Sequence, residues 1–84
     1  MSWTVVLTGS ARRDVRRLDP PVASRILDAL IRFADTGQGE ITRLQGSINE
    51  WGLRVGDWQV RFRYELPTHT LEVLYILPRG QAYR

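Results

Sequence analysis

The residues from Asn49 to Tyr64 constrain this chain most, because their pattern predicts a β-hairpin of defined register. Apolar and polar residues alternate on both sides of Gly56-Asp57, and glycine at the first central position is what a two-residue type II′ turn requires. The turn predicts the facing pairs Val55 with Trp58, Leu53 with Val60, Trp51 with Phe62, and Asn49 with Tyr64. These residues form a largely apolar face that can pack on helices.

The other side of this hairpin is polar and rich in arginine, and we call it the open face. The same register places Arg54 opposite Gln59, Gly52 opposite Arg61, and Glu50 opposite Arg63. Guanidinium groups on such a face can bind an anion, although a solvated surface explains them equally well. Glu50 is expected to pair with Arg63 across the hairpin.

The composition limits the chemistry that the chain can perform. Its 84 residues suit one small domain with one core, so a single domain over residues 1–84 is expected. The absence of cysteine excludes thiol catalysis, and one histidine, His69, argues against an ordinary zinc or copper site. No apolar run approaches the roughly 20 residues of a membrane helix, and no signal-peptide pattern opens the chain. A cytoplasmic protein without a membrane partner is therefore expected.

All 12 basic residues are arginine, which cannot act as a general base at neutral pH. Proton transfer would fall to a tyrosine, a carboxylate or His69, and His69 is expected to be exposed in a turn after Pro67. Arginines also cover one side of the first predicted helix. A charged outer surface is the simpler explanation for them, and an acidic partner is the functional alternative.

Two helices are predicted before the hairpin. After a first strand over Trp3–Leu7, Ser10 is the expected N-cap of a helix that ends at Asp19. The second helix is expected from Pro20 to Asp35, because proline favours the first turn and Gly37 is suited to the C′ position. The short connection between them predicts an antiparallel helical hairpin.

The stretch 37–48 is expected to be irregular, and a last strand is expected over Leu71–Leu77. This strand is apolar on both faces apart from Glu72, which is typical of an interior strand. The order β-α-α-β-β-β predicts an α+β fold. In this fold an N-terminal helical hairpin packs on one face of a four-stranded, mostly antiparallel sheet.

Several motifs occur along the chain in a particular order. They are S-A-R-R-D in the first helix, the element Leu44-Gln45-Gly46, W-x-L-R-V-G-D-W-x-V-x-F in the hairpin, and a closing P-R-G-x-A-Y-R. Together they resemble the RelE/ParE toxins of type II toxin–antitoxin systems. The resemblance covers nearly the whole chain, and the hairpin and the R-x-x-x-Y-R ending are similar to the RelE side. It implies a RelE-like, microbial-RNase-like fold.

For RelE-type members the resemblance implies a ribosome-dependent mRNA endoribonuclease, or mRNA interferase. Such a toxin cleaves mRNA in the ribosomal A site, inhibits translation, and is neutralised by a cognate antitoxin. A ribose 2′-hydroxyl attacks the adjacent phosphate, which requires a proton acceptor and positive charge but no metal or cofactor. Two alternatives stay open: a ParE-like, non-enzymatic inhibitor of DNA gyrase, and a degenerate toxin that only binds its antitoxin.

The resemblance also implies roles for individual residues. Arg54 matches the arginine of the L-R-V-G-D element, and Arg79 and Tyr83 match the closing arginine and tyrosine. The family usually has a further arginine at the position of Gln59, and Arg61 on the same face would replace it. The expected catalytic residues are therefore Arg54, Arg61, Arg79 and Tyr83, and the expected RNA contacts are Gln59, Arg63, Tyr75 and Arg84.

Overall fold

A computed structural model describes residues 2–46 and 48–78 of the chain. Its elements, in order, are β1 (Thr4–Leu7), α1 (Gly9–Arg17), α2 (Pro20–Thr36), β2 (Glu40–Arg43), β3 (Trp51–Val55), β4 (Trp58–Glu65) and β5 (Thr70–Pro78). Within this part of the chain the strands form one five-stranded sheet in the order β1-β5-β4-β3-β2. β1 is parallel to β5, and the other neighbours are antiparallel. The α+β class and the helices packed on the sheet are confirmed.

The sheet has one strand more than predicted, because β2 lies in the stretch expected to be irregular. Glu40–Arg43 pairs antiparallel with the residues from Trp51 to Arg54 and forms an edge of the sheet. All of its residues are exposed. A strand that buries none of its side chains has no alternating apolar pattern, so the sequence gives no signal for it.

The predicted register of the central hairpin is confirmed. Val55 faces Trp58, Leu53 faces Val60, and Trp51 faces Phe62. Gly56 has a φ of 60°, the sign that the first central residue of a type II′ turn requires. Asn49 precedes β3 but still reaches Tyr64, since its Nδ2 donates to the Tyr64 carbonyl oxygen at 2.7 Å.

Helix α1 begins and ends earlier than predicted. Its N-cap is Thr8, not Ser10, and the Thr8 hydroxyl accepts a hydrogen bond from the backbone N of Ala11 at 3.2 Å. The helix ends at Arg17, and Leu18 is already extended, with φ −82° and ψ 150°. A helical conformation is disfavoured immediately before proline, and Asp19 precedes Pro20.

Helix α2 matches the prediction closely, from Pro20 at its start to the left-handed Gly37 after its end, which has a φ of 77°. Its buried residues include Ile26, Leu30 and Phe33, and the rings of Phe33 and Phe62 lie 5.5 Å apart. Burying each such side chain stabilises the fold by about 1.5–3 kcal/mol. In the described residues, neither helix is long and apolar enough to cross a membrane.

A bulge in β5 decides which of its side chains reach the open face. Arg61 pairs with Tyr75 but Phe62 pairs with Val73, so Leu74 is an extra residue in the ladder. Because of this extra residue, Val73 and Ile76 are both buried, although they are three positions apart. Tyr75 therefore lies opposite Arg61 and shares the open face with it.

Helix α1 and its N-cap residue each contribute one side-chain hydrogen bond to this part of β5. The Thr8 hydroxyl donates to the carbonyl oxygen of Leu74 at 2.9 Å. Asp14 Oδ2 accepts a hydrogen bond from the backbone N of Ile76, also at 2.9 Å. β1 stops at Leu7, opposite Val73, so Asp14 satisfies a backbone donor that β1 does not reach.

Candidate functional site on the open face

The open face carries a cluster of three side chains that can act together on a substrate. Glu50 Oε1 lies 3.8 Å from Arg61 Nη1. The Tyr75 hydroxyl donates to the same carboxylate oxygen at 3.4 Å. The Arg61 guanidinium carbon is 5.8 Å from the centre of the Tyr75 ring, within cation–π range. A proton acceptor, a fixed cation and an aromatic hydroxyl thus lie side by side.

The expected pair of Glu50 with Arg63 is wrong. Glu50 precedes β3 and is not held opposite Arg63 by the ladder. Arg63 instead pairs with Glu72, its direct neighbour across β4 and β5, with Nε 2.5 Å from Oε1. Its Nε also lies 3.5 Å from Glu65 Oε1. Arg63 therefore has Glu72 and Glu65 as its ion-pair partners, and Glu50 pairs with Arg61 instead.

Gln59, an expected RNA contact, is not exposed on the open face. It is 5% exposed, and its amide lies across Gly52 of the neighbouring strand. A Cβ on Gly52 would stand 2.0 Å from Gln59 Nε2, so the glycine leaves the space that the amide occupies. The absence of a side chain at Gly52 explains how a polar residue on this face becomes buried.

Arg54 lies apart from the cluster and keeps different partners. Its Nε is 3.6 Å from Glu40 Oε2 in β2 and donates to the Gly56 carbonyl oxygen at 3.3 Å. Its side chain is 39% exposed, against 14% for Arg61. Arg54 is thus accessible to a ligand, but its contacts join it to the edge strand and the turn.

The open face is not the array of unpaired arginines that the sequence predicts. Arg54, Arg61 and Arg63 each lie within 4.0 Å of a carboxylate oxygen. Ion pairs near the surface contribute only about 0–1 kcal/mol, so a phosphate can compete for such guanidinium groups. The remaining expected site residues, Arg79, Tyr83 and Arg84, lie outside the described residues.

Two other titratable side chains of the fold are committed to packing. His69 has a φ of 53°, and its ring stacks on Trp3 with 4.0 Å between centroids, so it is half-buried and not the exposed turn residue expected. Tyr64 lies between Trp3 and Phe62, and desolvation raises the pKa of its hydroxyl. A tyrosine whose pKa is raised is a poor general base at neutral pH.

Glu50 is the residue of this cluster that sequence reasoning assigned to another partner. Its contact with Tyr75 depends on the bulge at Leu74, which no local pattern in β5 reveals. Chemically, the cluster offers a carboxylate for a ribose proton and a guanidinium for a phosphate. Tyr75 can stack on a base or position the carboxylate.

The fold is shared with solved RelE toxins. A chain of the archaeal RelE–RelB complex from Pyrococcus horikoshii OT3 has a TM-score of 0.78 and 17% identity, covering 96% of this chain and 99% of that chain. The isolated E. coli RelE toxin has a TM-score of 0.79 and 13% identity, covering 98% and 92%. The RelBE2 toxin–antitoxin complex from Mycobacterium tuberculosis gives 0.68 and 23%, covering 94% and 100%.

No protein-family model matches the chain, and no curated protein matches it either. At the identities above, the likeness establishes the fold, and this chain has the fold of the RelE toxins. These similar structures support the RelE side of the resemblance and do not specifically support ParE.

Proposed function

We propose that this chain is the toxin of a type II toxin–antitoxin pair, acting in the cytoplasm and silenced by a cognate antitoxin encoded next to it. The shared fold with RelE toxins supports this proposal. Four of the similar structures are toxin–antitoxin complexes, so a surface of this fold can accept an antitoxin in those proteins.

The activity we propose is cleavage of mRNA in the ribosomal A site. The observation that carries it is the 3.8 Å contact between Glu50 Oε1 and Arg61 Nη1 on the open face. The Glu50 carboxylate takes the proton of the ribose 2′-hydroxyl, and the 2′-oxygen bonds to the adjacent phosphorus. The bond to the 5′-oxygen breaks and that oxygen takes a proton from water, whose hydroxide receives the proton held by Glu50. A 2′,3′-cyclic phosphate remains.

Arg61 would stabilise the negative charge that the phosphate gains during this step. Tyr75 would stack on a nucleobase, while Arg54 and Arg63 would position the RNA backbone. The resemblance adds Arg79 as a phosphate contact, Tyr83 as a base-stacking or proton-transferring residue, and Arg84 as an RNA contact. The reaction as written needs neither a metal nor a cofactor.

A second candidate function is non-enzymatic inhibition of DNA gyrase, as in ParE-like toxins. The observation in its favour is the lack of an accessible guanidinium where the family usually has one. Gln59 occupies that position and is buried, and the neighbouring Arg61 is 14% exposed and shares its charge with Glu50. Such a face suits RNA cleavage less well than an open array of arginines.

One experiment separates these functions. The wild type and Glu50→Gln are induced in cells, and primer extension maps breaks in translated mRNA while DNA synthesis is followed in parallel. Cleavage by the wild type that is lost in Glu50→Gln supports the nuclease. If mRNA stays intact while gyrase stalls, the nuclease proposal is wrong and the gyrase proposal replaces it.

A further inference from the structure

A groove of about 600 Å³ lies between α2 and the β3–β4 turn, away from the Glu50 cluster. We call it the arginine groove, since its walls include Arg25 and Arg32 of α2 and Arg54 of β3. It is lined also by Asp28, Ala29 and the turn residue Gly56. None of these residues belongs to the cluster of Glu50, Arg61 and Tyr75.

The arginine groove keeps an excess of positive charge. Arg54 shares its charge with Glu40, at 3.6 Å. Across residues 2–46 and 48–78, by contrast, Arg25 and Arg32 form no ion pair, even with the neighbouring Asp28. Two unneutralised guanidinium groups, about two turns apart on the same face of α2, attract carboxylates or phosphates.

The position of Arg25 is set by the hairpin turn. A Cβ on Gly56 would lie 3.0 Å from Arg25 Nη2 and 3.1 Å from Nη1, so the guanidinium rests against the glycine. Arg54 donates to the carbonyl oxygen of the same residue. Two cations therefore converge on one turn, and a guanidinium that is already positioned loses little side-chain entropy when it binds an anion.

The same groove also has apolar walls. Ala29, Leu53 and Val55 line it beside the arginines. A nucleic-acid backbone offers phosphate and sugar but little apolar surface to such walls. An amphipathic peptide segment offers both carboxylates and apolar side chains, so it complements the arginine groove on both counts.

We propose that the arginine groove is the docking site for an acidic, amphipathic segment of the antitoxin. Carboxylates of that segment pair with Arg25 and Arg32, and its apolar side chains lie on Ala29 and Val55. This proposal rests on the proposed function and adds to it the location and chemistry of the partner contact. Docking here holds the toxin by a surface other than the Glu50 cluster.

The test uses the protein encoded by the neighbouring gene as the probe and measures its affinity by titration calorimetry. The test variant is Arg25→Glu with Arg32→Glu, and its matched control is Arg12→Glu with Arg16→Glu. The control makes the same charge change on exposed residues of α1, away from the groove. We expect the groove variant to bind about tenfold or more weakly, with a smaller salt dependence, and the control to bind within about twofold of wild type.

Thermal melts establish that each variant is folded, and Arg25→Ala with Arg32→Ala replaces the charge reversal if the latter unfolds. Unchanged affinity in the folded groove variant overturns the docking proposal and leaves the toxin proposal standing. If wild type itself does not bind the neighbouring protein, the toxin–antitoxin proposal fails, and the docking proposal fails with it. A loss of affinity for single-stranded RNA, with partner affinity intact, would make the groove a nucleic-acid site instead.

Discussion

The side-chain amide of Gln59 lies across Gly52, so close that a Cβ on Gly52 would stand 2.0 Å from Gln59 Nε2. Gly52→Ala should therefore destabilise the fold by about 1–3 kcal/mol, because a buried amide must move. Gln59→Ala should remove the clash, so the double variant should be more stable than Gly52→Ala alone. Urea unfolding of the four proteins measures this coupling. Additive free-energy changes would show that the two side chains do not compete for the same space.

Glu50→Gln tests the proposed proton acceptor. It should lower mRNA cleavage on ribosomes by a factor of about 10²–10⁴, because an amide cannot take the 2′ proton. Its stability should change by less than about 1 kcal/mol, as expected for a partly exposed ion pair. Glu65→Gln is the matched control, since it removes a carboxylate near Arg63 on the same sheet. Equal cleavage by Glu50→Gln and wild type would remove Glu50 from the mechanism.

A second mechanistic prediction concerns the contribution of the arginines and of the closing residues to mRNA cleavage. A guanidinium aimed at the transition-state charge contributes a few kcal/mol, so Arg79→Ala should slow cleavage by about 10²–10³. Tyr83→Phe should also weaken it, and Arg54→Ala and Arg61→Ala should do so at least as strongly.

A chain truncated after Pro78 should still fold and bind its antitoxin but lose toxicity. Primer extension measures mRNA cleavage by all of these variants, and thermal melts show whether each one is folded. If the truncated chain fails to fold, the closing residues are structural.

Tyr64 should make the fold sensitive to alkaline pH. Burial raises its pKa in the folded state, so the unfolded chain ionises this hydroxyl first as pH rises. The resulting stability is present below pH about 10, the ordinary pKa of tyrosine, and is lost as pH rises from there through the folded-state pKa. Tyr64→Phe should lose less stability than wild type over this range. Urea unfolding at pH 8 to 11 provides the measurement, and parallel curves for the two proteins would contradict it.

Asp14 should stabilise the contact between α1 and β5. Asp14→Ala leaves the backbone N–H of Ile76 without its 2.9 Å acceptor, which should cost about 1–3 kcal/mol. Asp28→Ala, on the exposed surface of α2, should change stability by less than about 0.5 kcal/mol. Chemical denaturation compares the two. A similar small effect for both would mean that water replaces the carboxylate at Ile76.

Much of the fold follows from local signals in the sequence. The glycine at position 56 determines the turn, and the turn determines the register from Val55 and Trp58 to Trp51 and Phe62. Proline and glycine likewise mark both ends of α2. These features depend on neighbouring residues only, so alternation and turn chemistry are sufficient to predict them.

The rest depends on contacts between distant parts of the chain. β2 buries none of its residues, so nothing in its pattern distinguishes it from a loop. The bulge at Leu74 brings Tyr75 to Arg61 and Glu50, and the carbonyl oxygen of Leu74 accepts a hydrogen bond from Thr8, 66 residues away. The contact of Glu50 with Tyr75 follows from that arrangement, whereas the burial of Gln59 follows from the absence of a side chain at Gly52. A rule that considers only directly opposite residues of one hairpin predicts neither the Glu50–Tyr75 contact nor the packing of Gln59 on Gly52.

The pairing of β1 with β5 has a consequence for the protein's own synthesis. Thr8 and Leu74 are 66 residues apart, so the first strand has no strand to pair with until the last one has been made. On the ribosome, the helices and the central hairpin can form while β1 is still unpaired, since the contacts within these elements are local in sequence. The alignment of Tyr75 with Arg61 is then completed only after β5 emerges. For a protein that attacks translating ribosomes, as proposed, such an order of assembly keeps the nascent chain harmless to the ribosome that is making it.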